Sequence, residues 1–224
     1  VTPYLWAAGI QGDISPFRRG PTVEIEKSFS DIVKDLNFGM FVNAWGRYER
    51  FVASADVMYV NLSEAKVIGA LPVLGPVPGL SASVRSLQFN ATLMGGYRLV
   101  DGDRFTFDVL SGARIWRLGN RVSVFYGPFA RSRREDFTWV DPLIGARAFF
   151  KINDRISLQT QADVGGFGVA SKFTTQLLGT VNYAFTDHLS VSAGYKYLYT
   201  NYQSGGHVFK ASLHGPVVGT TYRF

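Results

Sequence analysis

The sequence contains no cysteine. That excludes disulfide bracing and thiol chemistry, and it is compatible with an oxidising compartment. No run of about 18 apolar residues occurs, so no transmembrane helix is available. Charge is sparse, at 18% of 224 residues, and there are only three histidines. No His/Asp/Glu spacing meets a metal-ligand rule, so neither a metal nor a cofactor is expected. The net charge is +6, but no compact basic motif with base-stacking aromatics accompanies it, which argues against nucleic acid. Basic residues near anionic lipid headgroups account for that charge more simply. Val1-Thr-Pro-Tyr4 lacks the charged start and apolar core of a signal peptide; a membrane reading then implies a leader that has been cleaved or omitted.

Aromatics, at 15%, and glycine are plentiful, a mix that suits strands, tight turns and interfacial girdles. The chain also alternates. Leu189, Val191, Ala193, Tyr195 and Tyr197 share one face of a strand, while Ser190, Ser192, Gly194 and Lys196 share the other. Period two with one dry and one wet face marks a sheet. The pattern recurs along the chain, in strands near 2–13, 36–45, 50–61, 82–99, 104–118, 138–151, 155–165, 173–185 and the closing pair. In the first strand, Tyr4, Trp6, Ala8 and Ile10 are placed outward, and Leu5, Ala7, Gly9 and Gln11 inward.

Short turns (46–49, 100–103, 153–155, 186–188) alternate with longer loops (15–35, 63–81, 119–137, 166–172, 201–206). That asymmetry belongs to bacterial outer-membrane barrels, with short periplasmic turns, longer external loops and an even strand number. The expected fold is all-β: one closed antiparallel transmembrane barrel of about ten strands, spanning residues 1–224 as a single domain, with both termini periplasmic. Tyr97, Phe150, Phe185, Tyr222 and Phe224 then form the periplasmic aromatic girdle. A soluble barrel has the opposite polarity. Inward Asp56, Arg98, Asp108, Arg114, Asp141, Arg147, Asp163, Gln176, Asn182 and Lys196 would be costly in its dry core.

In the first loop, Ser28 or Ser30 can cap a short helix with Asp31 in its first turn. Phe29, Ile32, Val33 and Leu36 would share its apolar face, and the expected cover for that face is the barrel mouth or interior, with Phe29, Ile32 and Leu36 as a plug. The loop at 65–80 is apolar, with prolines and glycines that forbid a regular helix, and is expected to fold over the barrel mouth or else to touch lipid or a partner. The third loop carries Arg121, Arg131, Arg133 and Arg134, a candidate anion-binding surface.

Pro3-Tyr-Leu-Trp-Ala-Ala-Gly9, Phe29-Ser-Asp-Ile32, Leu36-Asn-Phe-Gly39, Gly112-Ala-Arg-Ile-Trp116, Trp139-Val-Asp-Pro142 with Gly145-Ala-Arg147, Asp163-Val-Gly-Gly-Phe-Gly168, Gly194-Tyr-Lys-Tyr-Leu198 and Gly215-Pro216 together resemble the small, mostly uncharacterised outer-membrane β-barrel proteins of Gram-negative bacteria. The terminal Tyr-Arg-Phe224 looks like the signature read by the barrel-assembly machinery. The resemblance implies an envelope location, machine-assisted insertion, and a passive, binding or structural role. Trp45 departs from it, standing where an inward acidic residue is expected.

Three functional classes follow. A scaffold binding lipopolysaccharide or another envelope protein is the first, and a narrow channel for small solutes the second. The third is an outer-membrane hydrolase, which needs a histidine beside a nucleophile or carboxylate. His188 and His207 fall in loops, and Ser212-Leu-His214 lacks an adjacent acid, so no catalytic residue is assigned. A repeat gives a sharper expectation. Asp108-x-x-x-Gly112-x-Arg114 recurs as Asp141-x-x-x-Gly145-x-Arg147 on sequential, antiparallel strands. One register sets Asp108 opposite Arg147 and Arg114 opposite Asp141, as two ion pairs bracing the lumen.

Overall fold

The computed structural model describes residues 1–15, 18, 22–66, 80–126 and 128–224. The strands are β1 (Thr2–Trp6), β2 (Gly9–Ser15), β3 (Val23–Lys27), β4 (Leu36–Tyr48), β5 (Phe51–Lys66), β6 (Leu80–Asp101), β7 (Phe105–Tyr126), β8 (Phe129–Lys151), β9 (Ile156–Gly165), β10 (Ser171–Ala184), β11 (Leu189–Ser204) and β12 (His207–Tyr222). One helix, α1 (Phe29–Asp35), joins β3 to β4. β1 and β2 both pair with β12, as two halves of one wall strand. β3 lies beside β2, and β4 lies beside β1, as two halves of the next. Twelve segments therefore make ten walls, every pairing is antiparallel, and β1 against β12 closes the barrel.

The two-faced strands separate cleanly. On β5, Ser54, Asp56 and Met58 are buried in the lumen while Phe51 is exposed outside. On β7, Asp108, Arg114 and Trp116 are buried and Phe105 and Val109 exposed. Tyr97, Phe105, Phe150, Phe185 and Tyr222 are exposed at the short-turn end, where both termini lie. The turn there between β8 and β9 is charged: Lys151 bonds Asp154 at 2.9 Å and holds its carboxyl below the usual range.

β1 reverses the expected faces. Leu5 is 75% exposed and Trp6 only 4%, so Tyr4 and Trp6 point inward and Leu5 outward. The reason is chemical: the Tyr4 hydroxyl has charged partners inside, described below, whereas Leu5 needs none. The strand also breaks at Ala7–Ala8 before Ile10 and Ile14 resume the buried face. At Gly12 φ is +152°, and a Cβ there would overlap the Lys210 carbonyl of β12.

The first loop differs from expectation in two ways. Its Val23–Lys27 segment extends the sheet against Ile10–Ile14. Ser28 caps α1, accepting from Asp31 N at 3.3 Å, but the helix buries no residue. Phe29 is 43% and Leu36 39% exposed, and only Ile32 packs on the core. The plug assignment for Phe29, Ile32 and Leu36 is therefore corrected: α1 interrupts the second wall strand, and Trp6, Phe41 and Met58 already occupy the lumen. Beside α1 the wall is thinly joined, because β1 and β4 share only Thr2↔Asn43 and Pro3↔Val42.

The expected third loop is mostly strand. β7 and β8 stay paired up to Tyr126↔Phe129, since Arg121-Val-Ser-Val124 continues the alternation. The apolar loop at 65–80 lies, over 67–79, outside the described residues.

Gly12→Val should lower the unfolding midpoint in urea by the equivalent of about 2–3 kcal/mol. Gly95→Val, where a Cβ meets nothing within 4 Å, should not. Gel mobility before and after boiling reads the folded fraction, and equal effects would contradict the close β2–β12 approach.

Candidate functional site: a filled lumen

The lumen is a stack of layers. At the short-turn end, Arg98 grips Asp108 through two bonds, Nε–Oδ1 at 2.7 Å and Nη2–Oδ2 at 3.3 Å. Arg98 also reaches Asp101 at 3.1 Å, and Arg47 meets the same carboxylate at 2.8 Å. Arg147 lies 4.0 Å from Asp108 and donates to Gln159 at 2.8 Å. Its guanidinium also sits 4.5 Å from the Trp45 ring centroid, with that of Arg98 at 5.6 Å. Where an acid was expected, Trp45 thus offers a π face, which attracts a cation without adding a second desolvated charge.

The middle layer holds the most enclosed charges. Arg114 donates to both oxygens of Asp163 at 2.9 and 3.0 Å, to Thr92 at 3.0 Å and to Thr174 at 2.9 Å. The side chains of Arg114 and Asp163 are 0% exposed. Nearby, Lys196 Nζ donates to Asp56 at 2.7 Å and to the Tyr4 hydroxyl at 2.8 Å. Tyr4 in turn bonds Asp56 at 3.1 Å, and Asn43 adds a donor at 3.3 Å. β5 and β11 are not neighbours, since β12, β1 and β4 stand between them. The Lys196–Asp56 contact therefore spans the lumen.

The register sets Asp108 opposite Arg147 and Arg114 opposite Asp141. Only the first of these pairs comes within ion-pair distance, at its limit of 4.0 Å. Arg114 instead reaches past β8 to Asp163 on β9, a correction to the expected pairing with Asp141. Asp141 is satisfied without a cation: it accepts from Ser171 N at 2.7 Å, Ser171 Oγ at 2.6 Å and Trp139 Nε1 at 3.0 Å. Gln176 is buried. The sequence alone assigns Tyr4, Thr92, Trp139, Ser171 and Thr174 no part in binding the lumen charges. A hydroxyl gains its meaning here only from the wall strand it faces.

Above the charges lies an aromatic ladder. Trp116 stacks on Trp139 at 5.5 Å, and Trp139 on Tyr202 at 4.1 Å. Phe137 stacks on His207 at 4.3 Å, and Phe209, Leu118 and Leu198 pack around them. His207 Nε2 lies 3.3 Å from Glu135. A groove of about 450 Å³ lies instead on the outer face, lined by Ala146, Ala148, Ala162, Gly179 and Tyr195 among others.

The hydrolase arrangement is not assembled at Ser212-Leu-His214. Ser212 Oγ donates to the Gln11 carbonyl at 3.3 Å, His214 Nδ1 pairs with the Tyr195 hydroxyl at 2.7 Å, and no hydrogen bond joins Ser212 to His214 among the described residues. No group of three metal-ligating side chains occurs among the described residues. The four arginines of the third loop divide. Arg121 and Arg134 share the outward face, opposite each other on β7 and β8, while Arg131 and Arg133 take the parity of buried Phe137 and Trp139.

No family model and no curated protein matches this chain. Its fold is similar to that of the outer membrane protease OmpT of Escherichia coli, with a TM-score of 0.53 at 10% identity over 100% of this chain and 96% of that one. It is also similar to the translocator domain of the autotransporter NalP from Neisseria meningitidis, with a TM-score of 0.51 at 12% identity over 100% and 88%. The chain thus has the fold of an outer-membrane β-barrel.

Breaking a buried ion pair costs about 3–5 kcal/mol when one partner is left uncompensated. Arg114→Met should therefore destabilise by about that much in urea unfolding. Adding Asp163→Leu should recover a large part of the loss, while adding Asp141→Leu should recover none. Recovery through Asp141 would place the partner wrongly.

Proposed function

We propose that this protein resides in the outer membrane of a Gram-negative bacterium and acts there without catalysis and without a standing pore, in a structural or envelope-binding role. The observation that carries this reading is the filled lumen. Arg114, Asp163 and Trp116 are fully enclosed, and charged and aromatic layers follow one another along the axis. An eight-stranded barrel is filled by its own side chains and sixteen strands leave an aqueous channel; ten strands carrying these side chains belong at the filled end. A solute would have to part both the Trp139–Tyr202 stack and the Lys196–Asp56 strut. With the interior committed to packing, the surfaces left for partners are the outer wall and the long β7–β8 hairpin. Insertion through the barrel-assembly machinery is part of this proposal, with Phe224, 96% exposed beyond β12, as the residue offered to it. An envelope protein is a further partner compatible with that hairpin.

Planar-bilayer recording of the purified protein tests this reading. Silence is expected at neutral pH, and steady single-channel steps would overturn the filled lumen in favour of the narrow channel.

A further inference from the structure

The outward face of β6, β7 and β8 changes character with height. From the girdle upward, the outward residues of all three strands are apolar but for Ser111: Tyr97 to Leu87 on β6, Phe105 to Ile115 on β7, and Phe150 to Val140 on β8. At about 3.3 Å per residue and a tilt near 40°, runs of that length cover the roughly 25 Å of an apolar band. Above the band the register assembles basic groups. Arg117 comes first, between Phe89 and Thr138; the next row is Leu87, Gly119 and Asp136; then Arg85, Arg121 and Arg134 stand directly opposite one another in one cross-strand row. The next outward row is Ser83, Ser123 and Ser132, with Ser123 and Ser132 bonded at 3.2 Å.

Like charges directly opposite each other destabilise a sheet, so this row calls for an anion. The protein supplies little negative charge of its own. Arg134 spends its Nε on Asp136 at 2.9 Å, and Arg85 spends its Nε on the Ser63 hydroxyl at 3.3 Å. Both keep their terminal NH₂ groups available, and Arg117 and Arg121 have no hydrogen-bond or ion-pair partner among the described residues. Guanidinium forks match phosphate oxygens two at a time.

We infer that Arg85, Arg117, Arg121 and Arg134 bind the phosphates of a phosphorylated glycolipid in the outer leaflet. The apolar band below takes its acyl chains, and the serine row above faces its sugar hydroxyls. Lipopolysaccharide is the membrane component of that chemistry. The order apolar, basic, hydroxyl on one face repeats the order acyl, phosphate, sugar in such a lipid. This inference rests on the outer-membrane placement proposed above.

The test uses the whole barrel in zwitterionic detergent, with bound lipid counted by native mass spectrometry. The probes are diphosphorylated lipid A, the same lipid stripped of its phosphates, and inorganic phosphate as a competitor. Lipid A should bind, and binding should weaken with salt because the site is exposed. Arg85→Gln with Arg121→Gln should weaken it about tenfold. Arg104→Gln with Arg131→Gln removes the same charge elsewhere and should leave it unchanged. Boiling-dependent gel mobility confirms that both variants fold. Equal binding of the dephosphorylated lipid, equal loss in both double variants, or displacement by millimolar phosphate would each overturn the site. Fractionation of the cell envelope separates the two claims. A barrel found in the outer membrane that fails to bind lipid A sinks the site alone, whereas a barrel that binds but fractionates elsewhere sinks the membrane placement.

Discussion

The desolvation of charge inside a closed wall governs this structure. Arg98, Arg114, Arg147 and Lys196 stand in the lumen against Asp56, Asp108, Asp141 and Asp163. An ion there can stay ionised only if it is paired or richly hydrogen-bonded. That requirement reaches the backbone. Side chains alternate along every strand, so slipping one strand by a residue would turn its lumen charges toward lipid. For a basic residue at midplane the cost is about 2–4 kcal/mol. The charges therefore pin the register of the walls that carry them, whatever their net contribution to stability.

Where one face of a strand is polar and the other apolar, the sequence is enough to orient it, as on β5 and β7. β1 failed this test because both of its faces look apolar: Tyr4 and Trp6 on one, Leu5 and Ala7 on the other. What decides the matter is a carboxylate on β5 and an ammonium on β11, which only closure brings to Tyr4. The Asp-x-x-x-Gly-x-Arg repeat was enough to read the β7–β8 register, because register is a property of neighbours. It was not enough to find the partner of Arg114, whose side chain is long enough to pass its neighbour and take Asp163 from the wall beyond. The arginines of the third loop were grouped by proximity in sequence, whereas parity separates Arg121 and Arg134 from Arg131 and Arg133. Arg85 joins the outward pair across a strand boundary that no linear reading crosses.

Likeness of fold says little about role. A protease and a translocator domain share this architecture, and sites rather than folds carry function. Here charged and aromatic side chains pack the interior, and it is that observation, not the fold, on which the proposed role rests. The Trp116–Trp139–Tyr202 stack is part of that packing, and its flat rings fill space while asking for few hydrogen-bond partners.

The interruption of the second wall by α1 has a mechanical consequence. Elsewhere adjoining walls are fastened along long ladders, but among the described residues the first wall meets the second only through Thr2 and Pro3 of β1 against β4 and, beyond α1, through Ile10–Ile14 of β2 against β3. Along Leu36–Phe41 the edge of β4 that faces away from β5 carries no ladder among the described residues. In a cylinder, the least-fastened joint parts first under load and is sealed last during assembly. This barrel therefore carries a hinge line written into its own circumference, between its first and second walls, and a bilayer that compresses or stretches it should flex it there before anywhere else.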